Sequence, residues 1–97
     1  MLTRHYLISG SVQGVGFRYF ARACAHSLQL GGWVRNLSDG RVEAVATGGE
    51  EALNEFESLL RDGPIRAKVE QIEVLSVAIE AFTGFMVKPN GEKSWPE

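Results

Sequence analysis

The sequence predicts an α+β sandwich: a mostly antiparallel sheet with two helices on one face, in the order strand, helix, strand, strand, helix, strand. Three observations predict it. Apolar residues alternate with period two in several stretches, they recur at helical spacing in two others, and glycine-rich or Asp-Gly breaks separate these runs. At 97 residues, the chain has the size of one ordinary domain, and a second core would not fit.

The first strand is read from "HYLISGSV", residues 5–12, where Tyr6, Ile8 and Val12 share one face. A glycine-rich stretch ends it. Phe17, Phe20, Ala21, Cys24 and Leu28 then fall on one face of a helix, and "LGG", Leu30 to Gly32, closes that helix. In "WVRNLSDGRVEAVAT" two strand-like runs flank Ser38-Asp39-Gly40, and Asp-Gly is a strong hairpin signal. From Glu50 to Arg61, Ala52, Leu53, Phe56, Leu59 and Leu60 trace a second amphipathic helix. Glu50 and Glu51 lie in its first turn, where the macrodipole favours negative charge, and "DGP" stops it. Val69 to Ala78 reads as a strand with Ile72 and Val74 on alternate sites, and Gly84 to Val87 as a shorter, weaker fifth one. The expected domain covers residues 3–90, and 91–97 are expected to be a polar tail with Trp95 as its one large apolar residue. This order is the split βαβ arrangement of ferredoxin-like folds, a scaffold that hosts many unrelated activities.

Bulk composition removes several function classes. Hydrophobic residues make up 44% and charged residues 23%, which fits a globular protein rather than a disordered one. A net charge of −2 argues against nucleic-acid or membrane-surface binding, both of which favour a basic face. It also disfavours an RNA-binding domain on this scaffold, which needs exposed aromatics on the sheet as well. Cys24 is the one cysteine, so no intrachain disulfide forms and no zinc ligand set is present. No apolar run reaches signal-peptide or membrane-span length, so a reducing cytoplasm is the expected address. A small anion held by one local pocket stays compatible with this charge balance.

The stretch "SGSVQGVGFRYF", Ser9 to Phe20, sets Gly10, Gly14 and Gly16 beside Arg18. Between a strand and a helix, the first backbone N–H groups have no intrahelical partner. A curled loop lets successive N–H groups face one anion, and glycines admit the positive φ this needs. Arg18, in the first helical turn, offers a planar fork suited to phosphate oxygens. Two readings stand together at this point: an anion cradle, or a structural turn with a solvated arginine. The Walker loop is excluded by spacing and the lack of Lys-Ser or Lys-Thr. The dinucleotide fingerprint fails because Tyr19 stands at the third glycine's place. Cys24 lies downstream of the arginine on the apolar helix face, so it does not suit a cysteine phosphatase. His5 and His26 read as surface or packing groups, Trp33 as packing, Asn36 as a strand-end polar group, and Arg35 and Arg41 as exposed charges.

"ISGSVQGVGFR", Ile8 to Arg18, followed by "GWVRNLSDGRVEAVATG", Gly32 to Gly48, strongly resembles the two signature motifs of the acylphosphatase family. The first carries Gly10, Val12, Gln13, Gly14, Val15, Phe17 and Arg18. The second carries Gly32, Trp33, Val34, Arg35, Asn36, Gly40, Val42 and Gly48. The likeness runs to "FTGFMV", and the residues after Pro89 extend past the usual family end. The resemblance implies hydrolysis of small-molecule carboxyl phosphates to a carboxylate and inorganic phosphate, by a monomer without cofactor or metal. It implies that the backbone of Gln13, Gly14, Val15, Gly16 and Phe17 and the guanidinium of Arg18 hold the phosphoryl oxygens. It further implies that the Asn36 carboxamide positions the attacking water. The alternative on the same fold is a non-catalytic module that binds phosphate or a phosphorylated partner.

Overall fold

The computed structural model describes residues 1–78 and 81–94, and Trp95 lies outside them. Five strands and two helices follow in the order β1 (Leu2–Ser11), α1 (Phe17–Ser27), β2 (Gly31–Asn36), β3 (Val42–Gly48), α2 (Glu50–Asp62), β4 (Lys68–Val77) and β5 (Phe85–Val87). They form one sheet ordered β4-β1-β3-β2-β5. Every pairing is antiparallel except β2 with β5. This is the βαββαβ sandwich expected from the sequence, with the short fifth strand present.

Each element follows its apolar pattern, with informative shifts. β1 begins at Leu2 rather than near His5, because β3 and β4 flank it on both sides and hold its first residues in register. Helix α1 buries Phe17, Ala21 and Ala25, while Cys24 and Leu28 pack at the margin of the core. Small alanines at the centre of the stripe let the helix approach the sheet closely. α2 buries Leu53, Phe56 and Leu60 at i, i+3 and i+7. The Phe56 ring sits edge-on to both Tyr6 (5.6 Å) and Phe85 (5.9 Å), joining β1, α2 and β5 in one core. Burial pushes the Cys24 thiol pKa up, so the group is a poor thiolate.

The other face of the sheet carries a buried polar cluster. The fully buried Glu43 accepts from Arg35 Nε at 2.7 Å and lies 2.8 Å from His5 Nε2. Arg35 is thus committed to an internal ion pair. Arg41 likewise closes the β2–β3 turn on Asp39, through its backbone N–H (3.0 Å) and its Nε (2.8 Å). Residues 88–94, polar in composition, run along the outer edge of β2 and are hydrogen-bonded to it.

Tyr6 is fully buried, and its hydroxyl has no hydrogen-bond partner among the described residues. Burial raises its pKa from 10.0 to about 12, against a smaller opposing pull from Arg4. Between those two values the unfolded chain binds fewer protons than the folded one, so stability falls as pH rises from about 10 to 12. The loss attributable to Tyr6 is roughly 2–3 kcal/mol. Urea unfolding of the parent and Tyr6→Phe at about pH 8 and about pH 12 is expected to show the variant keeping that increment. An equal decline in both would assign the alkaline loss to other groups.

Candidate active site

Topology brings two distant parts of the chain to one end of the sheet. β1 and β2 run in the same direction on either side of β3, and Ile8 and Asn36 both pair with Val42. The loop that leaves β1 and the last residue of β2 therefore meet. There, a pocket of about 100 Å³ is lined by Val12, Gly14, Gly16, Phe17, Arg18, Tyr19 and Asn36.

The loop takes the left-handed conformation at Gly14 (φ 74°) and again at Gly16 (φ 81°), which also caps the start of α1. A Cβ at either site would meet nothing within 4 Å, so the backbone faces open space that a ligand can enter. Among the described hydrogen bonds, none is donated by the backbone N–H groups of residues 13–17. They join the uncapped first turn of α1, which has no acidic residue to compensate its positive end. Arg18 adds a half-buried guanidinium with no acidic partner among the described residues, whereas Arg35, Arg41 and Arg61 are each ion-paired. The whole assembly is electropositive and donor-rich.

Asn36 closes the pocket from the strand side. It is 9% exposed, and its Oδ1 is buried with no hydrogen-bond partner among the described residues. An orphaned buried acceptor of this kind costs about 1–3 kcal/mol.

Of the residues singled out in the sequence, Gly14, Gly16, Phe17, Arg18 and Asn36 come together here. Gln13 and Val15 do not line the pocket. Val15 packs against the core, and the Gln13 carboxamide donates to the backbone carbonyls of Leu37 (2.7 Å) and Arg41 (2.9 Å). Gln13 thereby fastens the glycine loop to the turn that follows Asn36. Sequence reading did not find that bond, because a glutamine in a loop announces no partner 24 or 28 residues away. It also passed over Tyr19, an exposed pocket-wall residue carrying Arg22 over its ring at 5.3 Å. Among the described residues, no cluster of three or more His, Cys, Asp or Glu could hold a metal, and no helix is long and apolar enough to cross a membrane.

An α+β sandwich with a donor-rich glycine loop, an arginine and a buried asparagine lining one pocket defines a small anion-binding domain suited to a phosphoryl group. Comparison with known proteins agrees. The acylphosphatase family model matches residues 4–87. An acylphosphatase of Archaeoglobus fulgidus is 45% identical over 87 residues, covering 90% of this chain and 98% of the relative. The crystal structure of acylphosphatase from Bacillus subtilis superposes with a TM-score of 0.88 at 40% identity, over 91% of this chain and 99% of that one. An acylphosphatase structure from Coxiella burnetii gives 0.86 at 39% identity, over 90% and 92%. The chain belongs to the acylphosphatase family.

Proposed function

We propose that the protein hydrolyses small carboxyl phosphates by direct attack of water on a phosphoryl group held by the 13–17 backbone and Arg18, with Asn36 positioning the water. The observation that carries this reading is the convergence of Gly14, Gly16, Phe17, Arg18 and Asn36 on one pocket.

In this mechanism, loop amides and the Arg18 fork hold the nonbridging oxygens, where charge is spread in the loose transition state of phosphoryl transfer. A water hydrogen-bonded to the Asn36 carboxamide turns its lone pair toward phosphorus. As the new P–O bond forms, the bond to the acyl oxygen breaks and its electron pair leaves on the carboxylate. The water proton passes to a phosphate oxygen or to solvent. The leaving carboxylic acid has a pKa of roughly 4, so the carboxylate departs without general acid help. Holding the reactants and stabilising the charge accounts for the catalysis.

The expected setting is a monomer in a reducing cytoplasm, supported by a lone cysteine half-buried at the core margin. Residues 3–90 are proposed as the catalytic domain. Release of inorganic phosphate from benzoyl phosphate by purified protein, with chelator present, tests the reading. Turnover that survives chelation is expected. Tight phosphate binding without turnover would instead assign a binding module.

A further inference from the structure

We propose that residues 88–94 form a strap that positions Asn36, so that a segment beyond the family match contributes to turnover without touching substrate. The inference rests on the role given to Asn36 above.

β5 pairs with β2 only from Gly32 to Val34. Beyond Val34, the outer edge of β2 would be open at the residue that matters most. The strap fills that edge. Lys88 N–H donates to the Val34 carbonyl (2.8 Å), Gly91 N–H donates to the Asn36 carbonyl (2.9 Å), and Ser38 N–H donates to the Gly91 carbonyl (2.9 Å). Asn36 is thus held on both sides, by Val42 of β3 and by Gly91 of the strap. The register shows how. Val34 pairs with Val87 and Leu37 with Gly91, three steps on β2 against four on the strap. Pro89, which has no N–H to give to a ladder, lies within the extra step.

Side chains clamp the strap in place. Arg35, anchored on buried Glu43, donates through Nη2 to the Lys93 carbonyl at 3.0 Å. Ser38 Oγ donates to the Glu92 carbonyl at 3.1 Å, and Lys88 Nζ rests 4.4 Å from the centre of the Trp33 ring. The Arg35 guanidinium crosses so close to Gly91 that a Cβ there would stand 2.6 Å from Cζ. Residues 90–94 bring no apolar side chain to bury. Their polar bonds therefore govern alignment of the β2 terminus more than overall stability. Alignment matters because a misplacement of about 1 Å at a reacting group costs on the order of 10²-fold in rate.

The test uses the full chain. Gly91→Pro removes the N–H that holds the Asn36 carbonyl, and its Cβ displaces the Arg35 guanidinium that clamps the strap, so it releases both anchors at once. It is expected to lower kcat for benzoyl phosphate roughly tenfold, while competitive inhibition by inorganic phosphate stays within about twofold. In the intact parent, amide hydrogen exchange at Gly91 and Ser38 is expected to be slowed at least ~100-fold relative to an unstructured peptide. Unprotected exchange at both amides overturns the inference, even if the variant does not fold. So does a Gly91→Pro kcat within about twofold of parent, or a loss matched by an equal weakening of phosphate inhibition. A parent chain with no turnover sinks the hydrolytic reading and the strap with it. An active parent with an unaffected Gly91→Pro sinks the strap alone.

Discussion

Arg18→Ala is expected to lower kcat/KM for benzoyl phosphate by about 10³-fold or more, the scale on which transition-state charge is stabilised by a lone guanidinium or a preorganised donor. The physical basis is the arginine's isolation. Arg35, Arg41 and Arg61 spend their charge on Glu43, Asp39 and Glu57, whereas Arg18 faces the pocket with no carboxylate to neutralise it among the described residues. Its loss removes the strongest donor in the ring and the local positive charge together. Inhibition by inorganic phosphate should weaken in parallel, since the ground-state dianion uses the same fork. Arg18→Lys separates the two contributions. Charge survives but the planar pair of donors does not, so activity is expected to stay within about tenfold of the alanine variant. Melting temperature should barely move, because no described ion pair or hydrogen bond is lost. Turnover by Arg18→Ala within about tenfold of parent would remove the residue from the mechanism.

Local signals were the legible ones. The glycine loop and Arg18 occupy consecutive positions, and the physics of a strand-to-helix turn acts within a few residues. Strand and helix identities followed for the same reason, from apolar spacing inside each run. What depended on tertiary placement was less visible. The approach of Asn36 to the loop arises because β1 and β2 flank β3 in the same direction, a sheet-order fact with no trace in either segment. Only the family resemblance singled Asn36 out. Glu43 carries no local sign of burial in the sequence, yet it is fully buried beside His5 and Arg35. Residues 91–94 read as part of a tail because backbone bonds hold much of the strap, and the amide of Gly91 is the same whether or not it meets a carbonyl. The bond from Gln13 to the β2–β3 turn was hidden likewise.

Asn36→Ala provides the complementary result, a loss of turnover with binding intact. Asn36 lines the pocket from the strand side, while the donors proposed to hold the phosphoryl group lie on the loop and helix. Removing it should cut kcat by about 10²- to 10³-fold, the contribution expected of a group that places a reactant for attack. Inhibition by inorganic phosphate should remain within about threefold, because the donors to the dianion are untouched. Asn36→Asp, close in shape, is expected to be worse for binding, since a second anion at the pocket wall repels the first. Stability gives an independent check with an unusual sign. Most buried polar deletions destabilise by leaving a partner unpaired, but among the described residues Asn36 Oδ1 has no partner to abandon. The alanine variant is therefore expected to unfold in urea at the same midpoint as the parent or a higher one, with a gain of up to about 1 kcal/mol. A variant that keeps phosphate affinity, loses turnover and holds its stability places Asn36 in the chemistry rather than in the fold. A drop in midpoint matched to the drop in rate would make the asparagine a structural group instead.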